Sequence, residues 1–282
     1  MITSNAHKYP ISAQCKILGV ARSVYYFYCH YNPQPRLNDD ELTDDVIRIY
    51  KTNRSVYGAR KIQMKLAEEG KIVSRRRIVR IMKAHGLVSA YTQKKYRSTK
   101  SAPNEAPVVN LIQRNFNGRR PLDVLVSDLT YVRVGNKWAY TCLLLDLANR
   151  EIVGHGASWQ KDARLVISTF ASMDANLYDI DIFHTDRGSE FANLEIDKLL
   201  DFFGIRRSLS GKSNPFDNAV SEATYKLYKA EFVYRESFST LEELQVKLSD
   251  YVHWFNNIRI HSTLGYMTPV EFKKKGLVIL SK

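Results

Sequence analysis

Residues 122–134 alternate as a β-strand that turns one face to a core, and one position of the apolar row is a carboxylate. Counted by twos, Leu122, Val124, Val126, Asp128 and Thr130 share a face. A charge placed there is costly to bury unless something positive answers it. Any fold of this chain therefore has to bring a cation, or a place for one, to the middle of that strand. After Gly135-Asn136, residues 138–147 read as a second strand and 151–159 as a third, an antiparallel meander. A helix at 162–176, a short buried strand at 180–185, a helix at 193–203 and a strand at 205–210 follow. A helix over 214–233 opens on Asn214, Pro215, Asp217 and Asn218, and a last long one covers 241–256. Paired strands followed by strands alternating with helices predict an α/β fold with a mixed sheet. In the 214–233 helix, Ala219, Ala223, Leu227 and Ala230 are expected to form the buried stripe. Glu222 lies beside that stripe with Lys226 and Lys229 on its own face, an arrangement that by itself fits a solvated ion-pair surface.

Upstream the character differs. Residues 48–100 hold 16 Lys or Arg against Glu68 and Glu69, a balance of +14, so the remainder of a chain at +13 nets −1. A polycationic segment on an otherwise near-neutral chain points to a polyanionic partner, and no amphipathic anchor accompanies it to suggest a membrane. Residues 10–29 read as two short helices turned at Gly19, and 37–50 as a helix with an acidic first turn. Residues 58–69 form another helix, with Ile62, Leu66 and Met64 inward and Gly70 at its end. Ser74 caps a helix over 75–85 that stops at Gly86. Ile78, Ile81 and Met82 are its buried positions; Arg75, Arg76, Arg77, Arg80 and Lys83 cover the rest, which suits a DNA groove. The plainer alternative is a basic helix that touches phosphates only. Residues 91–120, polar and basic with prolines, read as a linker.

Hydrophobic residues at 44% allow a sizeable core, and no apolar run approaches the roughly 20 residues of a membrane span. Three cysteines make no disulfide framework, which places the chain in a reducing cytoplasm, and Cys15, Cys29, His7 and His30 match no familiar zinc spacing. Asp146 with Asn149 and Arg150 reads as a turn, Glu190 as the start of a helix, His184 as a packed strand residue, and Trp138, Trp159 and Trp254 as core.

Two further carboxylates complete a pattern. Asp186 ends the fourth strand in HTDRGSEF with 57 residues between it and Asp128; after 35 more comes Glu222 in NPFDNAVSEA, and Lys229 lies seven beyond that. Carboxylates from a central strand, a strand end and an adjacent helix suit hard, oxygen-seeking cations. This spacing resembles the DDE pattern of retroviral integrases and bacterial insertion-sequence transposases. With YVHWFNNIRIHSTLGYMTPVEF near the end and YGARKIQMKL and SRRRIVRIMKAHGLVS upstream, the chain resembles the IS-three transposase family over about residues 10–275.

The resemblance implies an RNase-H-like catalytic core preceded by a small all-helical DNA-binding region. The division would be 1–35 helical, 36–90 helix-turn-helix-like, 91–120 linker, 121–235 core and 236–282 a C-terminal helix and tail. It further implies that Asp128, Asp186 and Glu222 hold two Mg²⁺ ions, or Mn²⁺ in their place, within metal-bridging reach of one another. Lys229 and Asn218 would contact DNA. The partners implied are the element ends and target DNA, further copies of the chain on DNA, and an upstream helix-turn-helix product joined by frameshifting. The chain itself resembles the downstream catalytic product, acting in the cytoplasm at bacterial DNA. Two other functions stay open on the residues alone: hydrolysis without strand transfer, and DNA-binding regulation over an inactive core.

Overall fold

The computed structural model describes residues 2–30, 39–92, 110–112, 118–186, 188–191, 193–210 and 219–279. They form two compact units, 1–45 and 46–282. In the first, α1 (Ile11–Ile17) and α2 (Arg22–His30) pack together across the turn at Gly19, whose φ of 64° only glycine adopts easily. Helix α3 (Asp39–Thr52) runs from this unit into the second.

The second unit opens with α4 (Ala59–Glu68) packed on α5 (Arg75–Ala84). Ile62, Leu66 and Ile78 are fully buried and Met82 nearly so, whereas Ile81 and Met64 are half-buried. The Ser74 hydroxyl accepts from the Arg77 amide at 3.4 Å and starts α5 where the sequence indicates. Residue 91 does not behave as linker: Tyr91, in a 3₁₀ turn at Ala90–Thr92, donates its hydroxyl to the buried Glu231.

The sheet comprises β1 (Val124–Val134), β2 (Lys137–Asp146), β3 (Ile152–Ser158), β4 (Ile182–Thr185) and β5 (Arg206–Leu209), in the order β3-β2-β1-β4-β5. The first three are antiparallel; β4 runs parallel to β1 and β5 parallel to β4. This is the mixed α/β sheet, behind a helical region, that the sequence implies. Helices α6 (Ala163–Ala171) and α7 (Leu194–Phe203) cover one face, where Leu165, Val166, Phe170, Ile196 and Leu200 meet Leu125, Cys142 and Leu144. Helix α6 stops at Ala171, short of 176, because Asn176 caps a separate 3₁₀ turn at Leu177–Asp179. Across the sheet lie α8 (Ala219–Tyr228), a π-turn at Lys229–Val233 and α9 (Leu241–Asn257), with α10 (Pro269–Lys274) closing the chain. Tyr251 is the centre of their aromatic layer, with ring centroids 5.5 Å from Tyr228, 5.1 Å from Phe232 and 6.0 Å from Phe255.

Two packing expectations are corrected. The buried face of α8 is not the alanine stripe: Ala219 and Ala223 are exposed and Leu227 and Ala230 half-buried, while Ser221, Thr224, Tyr225 and Tyr228 face inward. Tyrosine rings bury far more apolar area than alanine methyls, and here their hydroxyls find partners. Tyr228 meets Thr141 at 3.2 Å. Trp254 is core, but Trp138 and Trp159 are 50% and 42% exposed; Trp138 lies near the β1–β2 turn, edge-on to Tyr131 with Arg133 against it. Among the described residues no helix is long and apolar enough to cross a membrane.

Candidate active site

Strand register does most of the assembly. The parallel pairing of β1 with β4 runs from Val124–Ile182 to Ser127–Thr185, so the next residue along the chain in each case is an aspartate, Asp128 within β1 and Asp186 just after β4. Side chains at matched parallel positions point to the same face, which sets the two carboxylates together where β4 ends. There the chain turns away, and Asp186 Oδ1 accepts the Gly188 amide at 2.9 Å. Asp128 Oδ1 accepts the Leu129 amide at 2.7 Å.

The electrostatics follow from that crowding. Burial, and next the charge of Asp186, push the Asp128 carboxyl up to about 7. Asp186 is raised as well, by burial first and then by Glu190 and Glu222, against the opposing pull of Lys161. Two like charges in a poorly solvated pocket resist joint ionisation unless a cation is shared between them.

Glu222 stands differently. Its side chain is 41% exposed and lies 3.6 Å from Lys226, one turn along α8. Its charge reaches Asp186, yet among the described residues no three acidic, histidine or cysteine side chains stand close enough to hold one ion. The expectation of three carboxylates already within bridging reach is thus not met in this arrangement. A third anion would add to the repulsion that already raises both aspartates, whereas Lys226 offers a favourable pair near solvent.

Lys229 opens the π-turn, half-buried, with its ammonium 5.8 Å from the Tyr131 ring centre. Burial lowers its pKa and the Asp128 charge raises it, so the ammonium faces the site. Asn218 falls outside the described residues. On α5, Arg75, Arg76, Arg80 and Lys83 are exposed and Arg77 half-buried, which leaves a basic face open.

The sequence missed several members of the site. Glu190 does not start α7; it sits in a 3₁₀ turn at Ser189–Phe191, buried, 3.0 Å from Lys161, with its charge acting on both aspartates. A Cβ on Gly188 would lie 2.5 Å from the Glu190 carboxylate, so the glycine is what lets that side chain fold back. Tyr225 donates its hydroxyl to the Asp128 carbonyl. None of these carries a sequence signal beyond an acid two residues after a glycine and a lysine ahead of a helix cap. His184, by contrast, is the packed strand residue expected, buried between Ser208 and Ser210.

These residues fit a divalent cation. The donors are all carboxylate oxygens, two of them brought together by register, and the third hangs on a half-exposed side chain paired with Lys226. Two buried hydroxyls nearby in sequence, Thr130 Oγ1 and Ser221 Oγ, have no hydrogen-bond partner.

Comparison with known proteins identifies the family. An HTH-like domain family model matches residues 37–95, and two integrase core domain models match residues 118–215 and 222–277. The transposase for insertion sequence element IS629 of Shigella sonnei is 30% identical over 275 residues, covering 95% of this chain and 92% of that protein. A putative transposase for IS986/IS6110 of Mycobacterium tuberculosis is 30% identical over 265 residues, covering 91% and 95%. The putative transposase InsK for IS150 of Escherichia coli is 28% identical, covering 95% and 94%. Among solved structures, an HTLV-2 integrase catalytic core domain in complex with magnesium aligns with 55% of this chain and 99% of that one, at 13% identity and a TM-score of 0.43. The chain belongs to the insertion-sequence transposases, polynucleotidyl transferases that join a helix-turn-helix-like DNA-binding segment to an integrase core.

Proposed function

We propose that this transposase cuts phosphodiester bonds at the ends of its element and joins them to target DNA through a DNA 3′-hydroxyl, with Asp128, Asp186 and Glu222 as the ligands of two Mg²⁺ ions. The observation that carries this reading is the β1–β4 register, which brings two half-buried carboxylates together. Bound there, divalent ions supply Lewis-acid activation of the attacking oxygen and stabilisation of the leaving one. The chain's own residues do the rest. Asp128 and Asp186 hold a fixed oxygen cradle at the end of β4. Glu222 completes it by leaving Lys226. Lys229 binds a DNA phosphate beside the cradle, and Asn218 orients the strand next to it. Exposed Arg75, Arg76, Arg80 and Lys83, with Arg77, hold DNA against α5. No side chain forms a covalent bond to DNA. Assembly as a homo-oligomer on DNA, and joint action with an upstream helix-turn-helix product, belong to the same proposal.

The test uses a labelled element end incubated with Mg²⁺ or Mn²⁺ and the wild-type, Asp128→Asn or Glu222→Gln chain. Joined products from wild type and none from either variant are expected. Cleaved ends that never join would reduce the reaction to hydrolysis, and activity that survives both substitutions would overturn the ligand assignment.

A further inference from the structure

The geometry points to Tyr225 as the positioning residue that fixes Asp128 relative to Glu222. It deepens the proposed function and rests on it, since the spacing matters only if both carboxylates are ion ligands. The Tyr225 hydroxyl accepts the Leu143 amide at 2.8 Å and donates to the Asp128 carbonyl oxygen. Asp128 and Leu143 face each other across the β1–β2 ladder, so one side chain from α8 bridges that cross-strand pair. The polarity is forced. An amide can only donate, which leaves the hydroxyl's own proton for the carbonyl.

The bridge reaches the carboxylate through one rigid unit. The Asp128 carbonyl and the Leu129 amide belong to the same planar peptide. Tyr225 grips its carbonyl end, and its N–H end donates to Asp128 Oδ1 at 2.7 Å. A tilt of that plane turns the carboxylate with it. Glu222 lies three residues before Tyr225, on the adjoining turn of α8. The ring therefore ties the helix that carries Glu222 to the peptide that orients Asp128. Groups that orient metal ligands in this way are worth roughly 10–100-fold in metal affinity.

Tyr228 supplies a matched control. It is also fully buried on α8, but its hydroxyl meets Thr141 and does not touch Asp128. Mn²⁺ binding to the full chain is measured by calorimetry for wild type, Tyr225→Phe, Tyr228→Phe and Asp128→Asn, together with amide hydrogen exchange at Leu143. Expected are a loss of about 10-fold in Mn²⁺ affinity and faster Leu143 exchange in Tyr225→Phe, with neither in Tyr228→Phe. Wild-type Mn²⁺ affinity in Tyr225→Phe, or an equal loss in Tyr228→Phe, would overturn the positioning role. Asp128→Asn separates the two readings: unchanged Mn²⁺ affinity there removes Asp128 as a ligand, whatever Tyr225 does. Should Tyr225→Phe fail to fold, amide exchange at Leu143 in the wild-type chain with and without Mn²⁺ keeps the proposal testable. Slower exchange with Mn²⁺ bound supports the coupling of the bridge to the site, and identical exchange overturns it.

Discussion

At the scale of single residues, two aspartates with raised carboxyls, Asp146 buried and Asp128 half-buried, sit in different company. Asp146 is fully buried at the end of β2, and its carboxylate accepts two amides, Leu122 at 3.0 Å and Ala148 at 2.8 Å. The Ala148 bond pins the β2–β3 turn, the role its sequence neighbours Asn149 and Arg150 suggest, and the Leu122 bond ties that turn to the start of β1. Asp128 has one amide and a neighbouring aspartate in place of the second, and its carboxyl is raised to about 7 by burial and then by that neighbour. The strand parity that made Asp128 conspicuous was legible in the sequence because period-two alternation survives any tertiary context. Glu190 was not legible, since its burial depends on Lys161 from the far end of the β3–α6 connection and on the missing side chain of Gly188. A pH prediction belongs here. Burial raises the Asp146 carboxyl from 3.8 to about 6, the two amides opposing it, so the folded state holds a proton that the unfolded chain has lost across that window. Stability from this group therefore falls as pH rises from 4 through 6. Asp146→Asn, which keeps an acceptor oxygen, gains relative to wild type over the same range, by up to about 3 kcal/mol at neutral pH. Urea midpoints at pH 4 and pH 7 check it; a pH-independent difference contradicts it.

At the scale of elements, caps and glycines were the reliable punctuation, and the inward face of α8 was the failure. Ser74, Asp162, Asn193 and Thr240 each accept a backbone amide and start α5, α6, α7 and α9 within two residues of where the sequence places them. A stripe of alanines at helical spacing could not reveal that tyrosines would win the core, because the deciding partners, Thr141 and the Leu143 amide, are distant in sequence. The contact between β3 and α6 yields one prediction. A Cβ on Gly154 would stand 2.7 Å from the Thr169 carbonyl oxygen, a backbone atom that cannot step aside. Gly154→Ala is expected to cost about 1–3 kcal/mol, read as a lower urea midpoint at unchanged slope. A second concerns α5. Reversing Arg75, Arg76 and Arg80 to Glu should weaken DNA binding and flatten its dependence on salt, because released counterions scale with the phosphates neutralised. Unaltered binding in a filter or anisotropy titration would move the DNA contact elsewhere.

At the scale of the second unit, the helix-turn-helix-like segment and the helical layer of α8 and α9 share a buried polar hub. Glu231, in the π-turn after α8, receives the Arg259 guanidinium at 2.7 Å and the Tyr251 hydroxyl at 3.1 Å, besides Tyr91. Burial works against its charge, but Arg259 holds the Glu231 carboxyl below its usual range. Lys61 of α4 lies close enough to feel both: burial and then Arg259 lower its pKa to about 7, and Glu231 raises it. This hub was invisible in the sequence, where its members are spread from residue 61 to residue 259. Glu231→Gln is expected to cost about 3–5 kcal/mol, because it strands a buried guanidinium. A thermal melt within a degree or two of wild type would contradict that. The central claim remains the one made by Asp128, Asp186 and Glu222, and it is reached most directly by locating Mn²⁺ through its anomalous scattering in crystals of the protein on an element end. The expected result is density between Asp128 and Asp186, with the Glu222 carboxylate turned from Lys226 to the same metal centre. Mn²⁺ bound away from the two aspartates, or Glu222 still paired with Lys226 beside an occupied site, would contradict it.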